Sequence, residues 1–190
     1  MPSHKEQQPF QKRLVIDASI AHAAGSAGQA LSPCSKHCRD FLLAIRKAKH
    51  SVVLTEEIKT EWAKHESAFA KEWRITMLQR GLAYIIRTSS SAELSEKVSN
   101  LSATQKEIKA MLKDLLLIEA ALVTDKTVVA LDEISRKLFA KSSDEIVELA
   151  EINWVNPDRK EENSIFWLKH GAWPEKTRQL GFLAKKLQQD

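Results

Sequence analysis

Short apolar runs alternate with segments of helical periodicity along this chain, and this alternation limits the fold more than any other feature. Each run is apolar at successive positions, as expected for a strand that is covered on both faces of a parallel sheet. Strands that alternate with helices predict an α/β domain with a mostly parallel sheet. The predicted strands cover residues 14–17, 51–54, 82–87, 128–132 and 152–155.

The predicted helices carry start signals that can be located in the sequence. Thr55 is a predicted N-cap, and the apolar stripe that follows it extends to Leu78. Thr104 opens a capping box, so a helix is expected to start there and to end near Val123. Two further helices are predicted at 34–50 and at 174–187, the second with Pro174 in its first turn.

The composition indicates a globular protein with one domain. Of the 190 residues, 43% are hydrophobic and 28% are charged, which suits a chain with a well-buried core. No apolar run approaches the roughly 20 residues that span a bilayer, and the polar segment 1–13 lacks the apolar core of a signal peptide. We therefore expect a cytoplasmic protein with no membrane partner. The net charge of +4 suits a nucleic-acid partner but does not select one.

Three regions are expected along the chain: a flexible segment at 1–12, the domain at 13–157, and a helical extension at 158–190 that packs on the same domain. The extension combines basic and aromatic side chains, which could stack on and hold a nucleic acid. Tryptophans are more often core or interface anchors, and we favour that interpretation for Trp167 and Trp173.

Cys34 and Cys38 lie four residues apart with His37 between them, which brings a zinc site to mind. A structural zinc normally takes four protein ligands, and the sequence has no second cysteine pair. On a helix both thiols would simply share one face. We favour reduced, partly buried thiols.

Four acidic residues occupy positions where a carboxylate costs stability unless it has a partner. Asp17 and Asp132 end two predicted strands, at the edge where parallel sheets bind ligands. Glu61 lies in the apolar stripe of its helix. Asp114 lies inside the helix that Thr104 starts, where aspartate has poor propensity, and a long apolar run follows it.

Each acid also has a structural interpretation. Asp17 and Asp132 could cap the helices that follow them. Lys64 or His65 could supply the cation that an inward Glu61 needs. A shared divalent metal would satisfy all four acids at once, because carboxylates select Mg²⁺ or Mn²⁺ and would otherwise repel one another. Such ions also support the hydrolysis of phosphodiesters.

Four segments, in order, resemble the motifs of PIN-domain nucleases. They are LVIDAS (14–19), LTEEIKTEW (54–62), DLLLIEAAL (114–122) and VVALD (128–132). The resemblance implies a Rossmann-like, three-layer α/β/α sandwich and a PIN-like nuclease domain at 13–157. It implies that the four acids are the catalytic residues and bind Mg²⁺ or Mn²⁺, with Ser19 and Glu133 as accessory groups. It also implies the cleavage of single-stranded or structured RNA.

The leading hypothesis is a metal-dependent endoribonuclease, as the toxin of a toxin–antitoxin pair or as a defence effector. RNA is the expected substrate, with single-stranded DNA as the alternative. An antitoxin or regulatory protein and a second copy of the chain are the candidate protein partners. Two other hypotheses stay open. One is a catalytically inactive PIN-like scaffold or RNA-binding module, and the other is a phosphatase with Asp17 as nucleophile.

Overall fold

The structure is a computed structural model that describes residues 11–25, 32–87 and 91–189. Its strands are β1 (Arg13–Ile16), β2 (Ser51–Leu54), β3 (Ala83–Ile85), β4 (Thr127–Val129) and β5 (Asn153–Val155). They form one sheet in the order β3-β2-β1-β4-β5, and every neighbouring pair is parallel. The predicted α/β class with a parallel sheet is confirmed.

Helices cover both faces of this sheet. In the described ranges the α-helices are α1 (Ala18–Ala23), α2 (Pro33–Lys47), α3 (Glu56–His65), α4 (Ala68–Gln79), α5 (Ala92–Ser99), α6 (Gln105–Leu122), α7 (Glu133–Lys141), α8 (Ser164–Lys169) and α9 (Leu180–Leu187). The chain reverses its direction across the sheet after β3. Right-handed crossovers therefore place α1 to α4 on one face and α5 to α7 on the other. This is the expected three-layer α/β/α sandwich.

The central strands form the core and explain the continuous apolar runs. Strands β2, β4 and β5 are buried along their whole length. Two strands end earlier than predicted, because β1 ends at Ile16 and β4 at Val129. The prediction of Asp17 and Asp132 as strand residues was therefore wrong. Each is the N-cap of the helix that follows, because its carboxylate accepts backbone N–H groups there.

The single helix predicted as far as Leu78 is two helices, α3 and α4. Ser67 caps α4 by accepting the N–H of Ala70 at 3.2 Å. The Glu66 carboxylate pairs with Arg74 at 2.7 Å, and its side chain is only 6% exposed. The break leaves the spacing of apolar residues almost unchanged, which is why the apolar stripe did not reveal it.

The segment 158–190 lies against the sandwich through two helices. Helix α8 contacts α2, and α9 contacts α7. The helix predicted from Pro174 begins instead at Leu180. The reason is that Gln179 is extended and forms an antiparallel bridge with Asn153 of β5.

Buried ion pairs join this segment to α7. Arg136 Nη1 lies 2.5 Å from Glu162 Oε1, and Arg178 Nη1 lies 3.2 Å from Oε2 of the same carboxylate. The three side chains are at most 9% exposed. We call Arg136, Glu162 and Arg178 the Arg–Glu cluster. Each of these charges depends on its partner, because an unpaired buried charge is costly.

The two tryptophans of the extension differ in their surroundings. Trp167 is a buried anchor whose indole N–H donates to the carbonyl oxygen of Trp173 at 2.7 Å. Trp173 itself is half exposed. The anchor interpretation therefore describes Trp167 well and Trp173 only in part.

Both cysteines are free thiols on α2, with Cys38 fully buried and Cys34 partly buried. Burial raises the pKa of both, so the thiols stay protonated. His37 turns to Asp158, with 2.8 Å between its Nδ1 and the carboxylate. These surroundings agree with the favoured interpretation of reduced, buried thiols.

The N-terminal part of the chain is described from Gln11 onward, so residues 1–10 of the expected flexible segment lie outside the described residues. Gln11 donates to Ser51 Oγ, and the N–H of Lys12 donates to His50 Nδ1. Within the described ranges, the structure contains no helix with the length and apolarity needed to cross a bilayer.

Candidate functional site

The strand order creates a crevice between β1 and β4. Strand β1 lies between β2 and β4, and the chain continues from β1 toward β2, whereas from β4 it continues in the opposite direction toward β5. The helices that follow β1 and β4 therefore lie on opposite faces of the sheet, which leaves a crevice at the carboxyl ends of these two strands. A cavity of about 380 Å³ lies there, which is within the usual size range of small-ligand sites. The structure brings all four predicted acids to its lining: Asp17, Glu61, Asp114 and Asp132. We call it the acidic cavity.

Asp17 follows β1 directly and is held by both the sheet and α1. Its backbone N–H donates to the carbonyl oxygen of Val129 at 2.9 Å, which adds one more hydrogen bond between β1 and β4. Its Oδ2 accepts the N–H of Ser19 at 3.0 Å. Its Oδ1 accepts no hydrogen bond from the described residues, so Asp17 can cap α1 and still offer one oxygen to a ligand.

Glu61 is placed by its neighbour Trp62. The indole N–H of Trp62 donates to the carbonyl oxygen of Ile16 at 2.9 Å, which fixes α3 over the end of β1. The Glu61 side chain is 38% exposed and lies at the edge of the apolar stripe. It pairs with Lys64 at 2.8 Å and lies 3.8 Å from His65, the two neighbours expected from the sequence. The ion pair with Lys64 lowers the pKa of Glu61.

Ser135 joins Asp114 to Asp132. Asp132 caps α7, and its Oδ1 accepts the N–H groups of Ile134 and Ser135 at 2.8 and 2.9 Å. The Ser135 hydroxyl donates to Asp114 Oδ2 at 2.5 Å, and this serine is only 2% exposed. Asp114 itself projects from the middle of α6, whose capping box at Thr104 is present as predicted. One buried serine thus holds two acids that come from different helices.

Asp114 is affected by its burial and by the charges of the other two aspartates. Burial raises the pKa of Asp114, the hydrogen bond from Ser135 opposes that rise, and the charges of Asp17 and Asp132 add to it. Like charges that converge in a half-buried cavity are unfavourable unless a cation joins them. The electrostatics of the acidic cavity therefore favour a bound cation.

The two accessory residues have different positions. The hydroxyl oxygen of Ser19 accepts the N–H of Leu131 at 3.3 Å, and Ser19 lines the acidic cavity. Glu133 points elsewhere. It accepts hydrogen bonds from Asn156 at 2.9 Å and Arg159 at 2.8 Å, and is not part of the cavity lining. Burial would raise the pKa of Glu133, but Asn156 and the nearby arginines hold it below its ordinary value.

Sequence reasoning did not place Ser135, His22 or Lys113 in the site. His22 Nδ1 lies 3.0 Å from the carbonyl oxygen of His65. Because a carbonyl oxygen can only accept, Nδ1 carries the proton, and Nε2 is the basic nitrogen of the neutral ring. Lys113 precedes Asp114 on α6 and lines the cavity. The one sequence signal for Ser135 was its position three residues after a capping aspartate.

The donor set fits a hard divalent cation. Oδ1 of Asp17, Oδ1 of Asp114 and Oδ2 of Asp132 accept no hydrogen bond from the described part of the chain, and carboxylate oxygens are the ligands that Mg²⁺ and Mn²⁺ prefer. Within the described residues, no three His, Cys, Asp or Glu side chains are already grouped as closely as metal ligands. Binding would therefore require the side chains to move together, with Glu61 turning away from Lys64.

Comparisons of this chain with family models, with characterised proteins and with solved structures find no match. The likeness of four short segments to PIN domains therefore remains a prediction from the sequence. The case for a function rests on the geometry of the acidic cavity.

Proposed function

We propose that this chain is a metal-dependent endoribonuclease with a PIN-like active site in the acidic cavity. The observation that carries the proposal is that Asp17, Glu61, Asp114 and Asp132, which lie on four separate elements, line one cavity. This cavity lies at the switch point of a parallel sheet, where α/β domains bind their ligands. Helix capping accounts for the positions of Asp17 and Asp132, but Glu61 and Asp114 cap no helix in the described part of the chain.

Some residues of the cavity would bind the metal, and others would hold these ligands in position. Asp17, Asp114 and Asp132 would hold Mg²⁺ or Mn²⁺ through their free oxygens, and Glu61 would join directly or through water. Such ions, when bound, polarise a phosphate and supply hydroxide at neutral pH. The helix caps keep Asp17 and Asp132 in place, and Ser135 keeps Asp114 in place. These hydrogen bonds restrain the three aspartates, so metal binding would require side-chain shifts and the turning of Glu61 away from Lys64.

The size and lining of the cavity support an unpaired RNA strand as the substrate. A volume of about 380 Å³ admits a group the size of a nucleotide and not a duplex. Apolar side chains, among them Ile58 and Leu117, form part of the wall and would exclude water around the reacting phosphate. Single-stranded DNA is the alternative substrate. We place the activity in the cytoplasm, as a toxin or defence effector controlled by an antitoxin or a regulatory protein.

Cleavage of RNA by the purified protein tests this proposal. With Mn²⁺ we expect a fluorescent single-stranded RNA to be cut at internal positions, and we expect Asp17→Asn to abolish the cutting. Asp40→Asn is the matched control, because Asp40 lies on the solvent side of α2 and, among the described residues, pairs only with Lys36. The proposal fails if neither RNA nor single-stranded DNA is cut, or if Asp17→Asn cuts as well as Asp40→Asn.

A catalytically inactive scaffold or RNA-binding module is the second candidate. It is favoured by the helix caps, since Asp17 and Asp132 each have a structural task that requires no metal. Calorimetric titration separates the two candidates. An inactive cavity gives no binding heat at millimolar Mg²⁺ or Mn²⁺, whereas the nuclease gives saturable binding.

A further inference from the structure

Lys113 differs from the other lysine near the acidic cavity. Lys64 is held by Glu61 in an ion pair of 2.8 Å. Lys113 lines the cavity and is exposed, and the described residues provide no hydrogen bond or ion pair for its ammonium group. Lys113 is therefore a cation of the cavity lining that is paired with no acid in the described part of the chain.

The charge balance of the cavity gives this cation a role once metal is present. Four carboxylates and one lysine line the cavity, so with neutral histidines the empty site repels an anion. A bound divalent cation would offset charge of the carboxylates, and the ammonium group of Lys113 would then be available to a phosphodiester. A lysine ammonium also binds phosphate well as a point charge, without the fixed planar geometry of arginine.

We propose that Lys113 binds a non-bridging phosphate oxygen of the substrate strand at the mouth of the acidic cavity. This inference rests on the proposed nuclease function and specifies how its substrate is recognised. The strand is bound through its phosphate charge and not through the edges of its bases. Loss of Lys113 should accordingly weaken every sequence alike, since phosphate contacts carry no sequence information.

The salt dependence of cleavage tests this role, because a structural lysine would not change it. Each phosphate contact to a single strand contributes about 0.7 to the slope of log affinity against log salt. For Lys113→Gln we expect the slope of log kcat/KM against log KCl to fall in magnitude by about 0.7. If the two proteins cut equally at about 1 M KCl, this change of slope makes kcat/KM of Lys113→Gln about fivefold lower than that of the wild type at about 0.1 M KCl. Oligo(U) and oligo(A) strands should show the same loss, and Lys113→Arg should restore most of it.

Lys109→Gln is the matched control. Lys109 lies one turn earlier on α6, is equally exposed and does not line the cavity, so its salt slope should equal that of the wild type. If the wild type cuts RNA and Lys113→Gln has an unchanged slope, the role of Lys113 is refuted and the nuclease stands. A slope that falls as much in Lys109→Gln also refutes it, since the effect is then general surface charge. If the wild type cuts no RNA, the proposed function itself fails and this inference with it.

Discussion

The acidic cavity and the Arg–Glu cluster both involve α7, but the charges in the cluster are opposite and paired, whereas most charges in the cavity have the same sign. At the start of the helix, Asp132 lines a cavity together with two other aspartates and Glu61. One turn later, Arg136 lies 2.5 Å from Glu162, whose other oxygen pairs with Arg178. In the cluster, opposite charges form ion pairs within the protein. The lining of the cavity instead has four carboxylates and one lysine, for which the described residues provide no ion pair.

This difference separates two uses of the same residue types. Charges that are paired and buried hold one element against another, and their loss should be felt in stability. Like charges that gather without pairing cost stability in the protein alone, and a ligand outside the chain must supply the compensation. Substitutions in the cluster should therefore affect folding, and substitutions in the cavity should affect binding and rate.

The largest expected effect is on stability, in the cluster. Arg136→Met should lower the free energy of unfolding by about 3 kcal/mol, because Glu162 loses its closest cation and keeps only the more distant pair with Arg178. Urea unfolding measures this change. Lys137→Met, at an exposed position on the same helix, should stay within about 0.5 kcal/mol of the wild type. Equal stability of the two variants would contradict a structural role for the cluster.

The second effect is on activity, in the cavity. Asp114→Asn should reduce kcat/KM by at least about 100-fold, since changes in residues that only support a metal ligand already cost 10–100-fold. Its melting temperature without metal should equal or exceed that of the wild type, because one of several like charges is gone. Cleavage of fluorescent RNA and thermal unfolding in EDTA measure the two quantities. An Asp114→Asn protein as destabilised as Arg136→Met would mean that this acid is structural.

A smaller effect is expected at the serine that joins two acids. Ser135→Ala should weaken Mn²⁺ binding by about 10–100-fold, because Asp114 loses the hydroxyl that orients it. Ser143→Ala is the control, since Ser143 is also buried but donates to the carbonyl oxygen of Ala140. Calorimetry should show unchanged metal affinity for Ser143→Ala. If the two variants bind metal alike, Ser135 does not position Asp114.

The smallest effect concerns Glu133, which follows Asp132 of the cavity in the sequence and pairs with Arg136 of the cluster at 3.3 Å. Its carboxylate faces Asn156 and Arg159 and not the cavity. Glu133→Gln should change kcat/KM by less than about threefold and lower stability by about 1 kcal/mol through its hydrogen bonds. Parallel cleavage and urea measurements check this. A loss of activity comparable to that of Asp114→Asn would assign Glu133 to the cavity.

Local signals in the sequence predicted the fold better than the ends of its elements. The capping box at Thr104 and the N-cap at Thr55 are present because both depend on residues within one turn. The break at Ser67 and the late start of α9 were not predicted. The first leaves the apolar spacing almost intact, and the second depends on a bridge between Gln179 and Asn153, which are far apart in the sequence.

The site was predictable where an acid conflicted with its local surroundings. Asp114 in mid-helix is such a conflict, and it lies in the cavity. In the sequence, Ser135 and Lys113 look like ordinary residues of an exposed helix face. Only the packing of α6 against α7 brings them to the site. The direction of Glu133 was likewise unpredictable, because Arg159 approaches it from another segment.

Titration of the protein with Mn²⁺ by calorimetry tests most directly whether the gathered acids form a metal site. We predict saturable binding to the wild type, binding weakened by at least about 100-fold in Asp17→Asn, and unchanged binding in the control Asp40→Asn. Absence of binding heat at millimolar Mn²⁺, or equal affinity in Asp17→Asn and Asp40→Asn, would contradict the account.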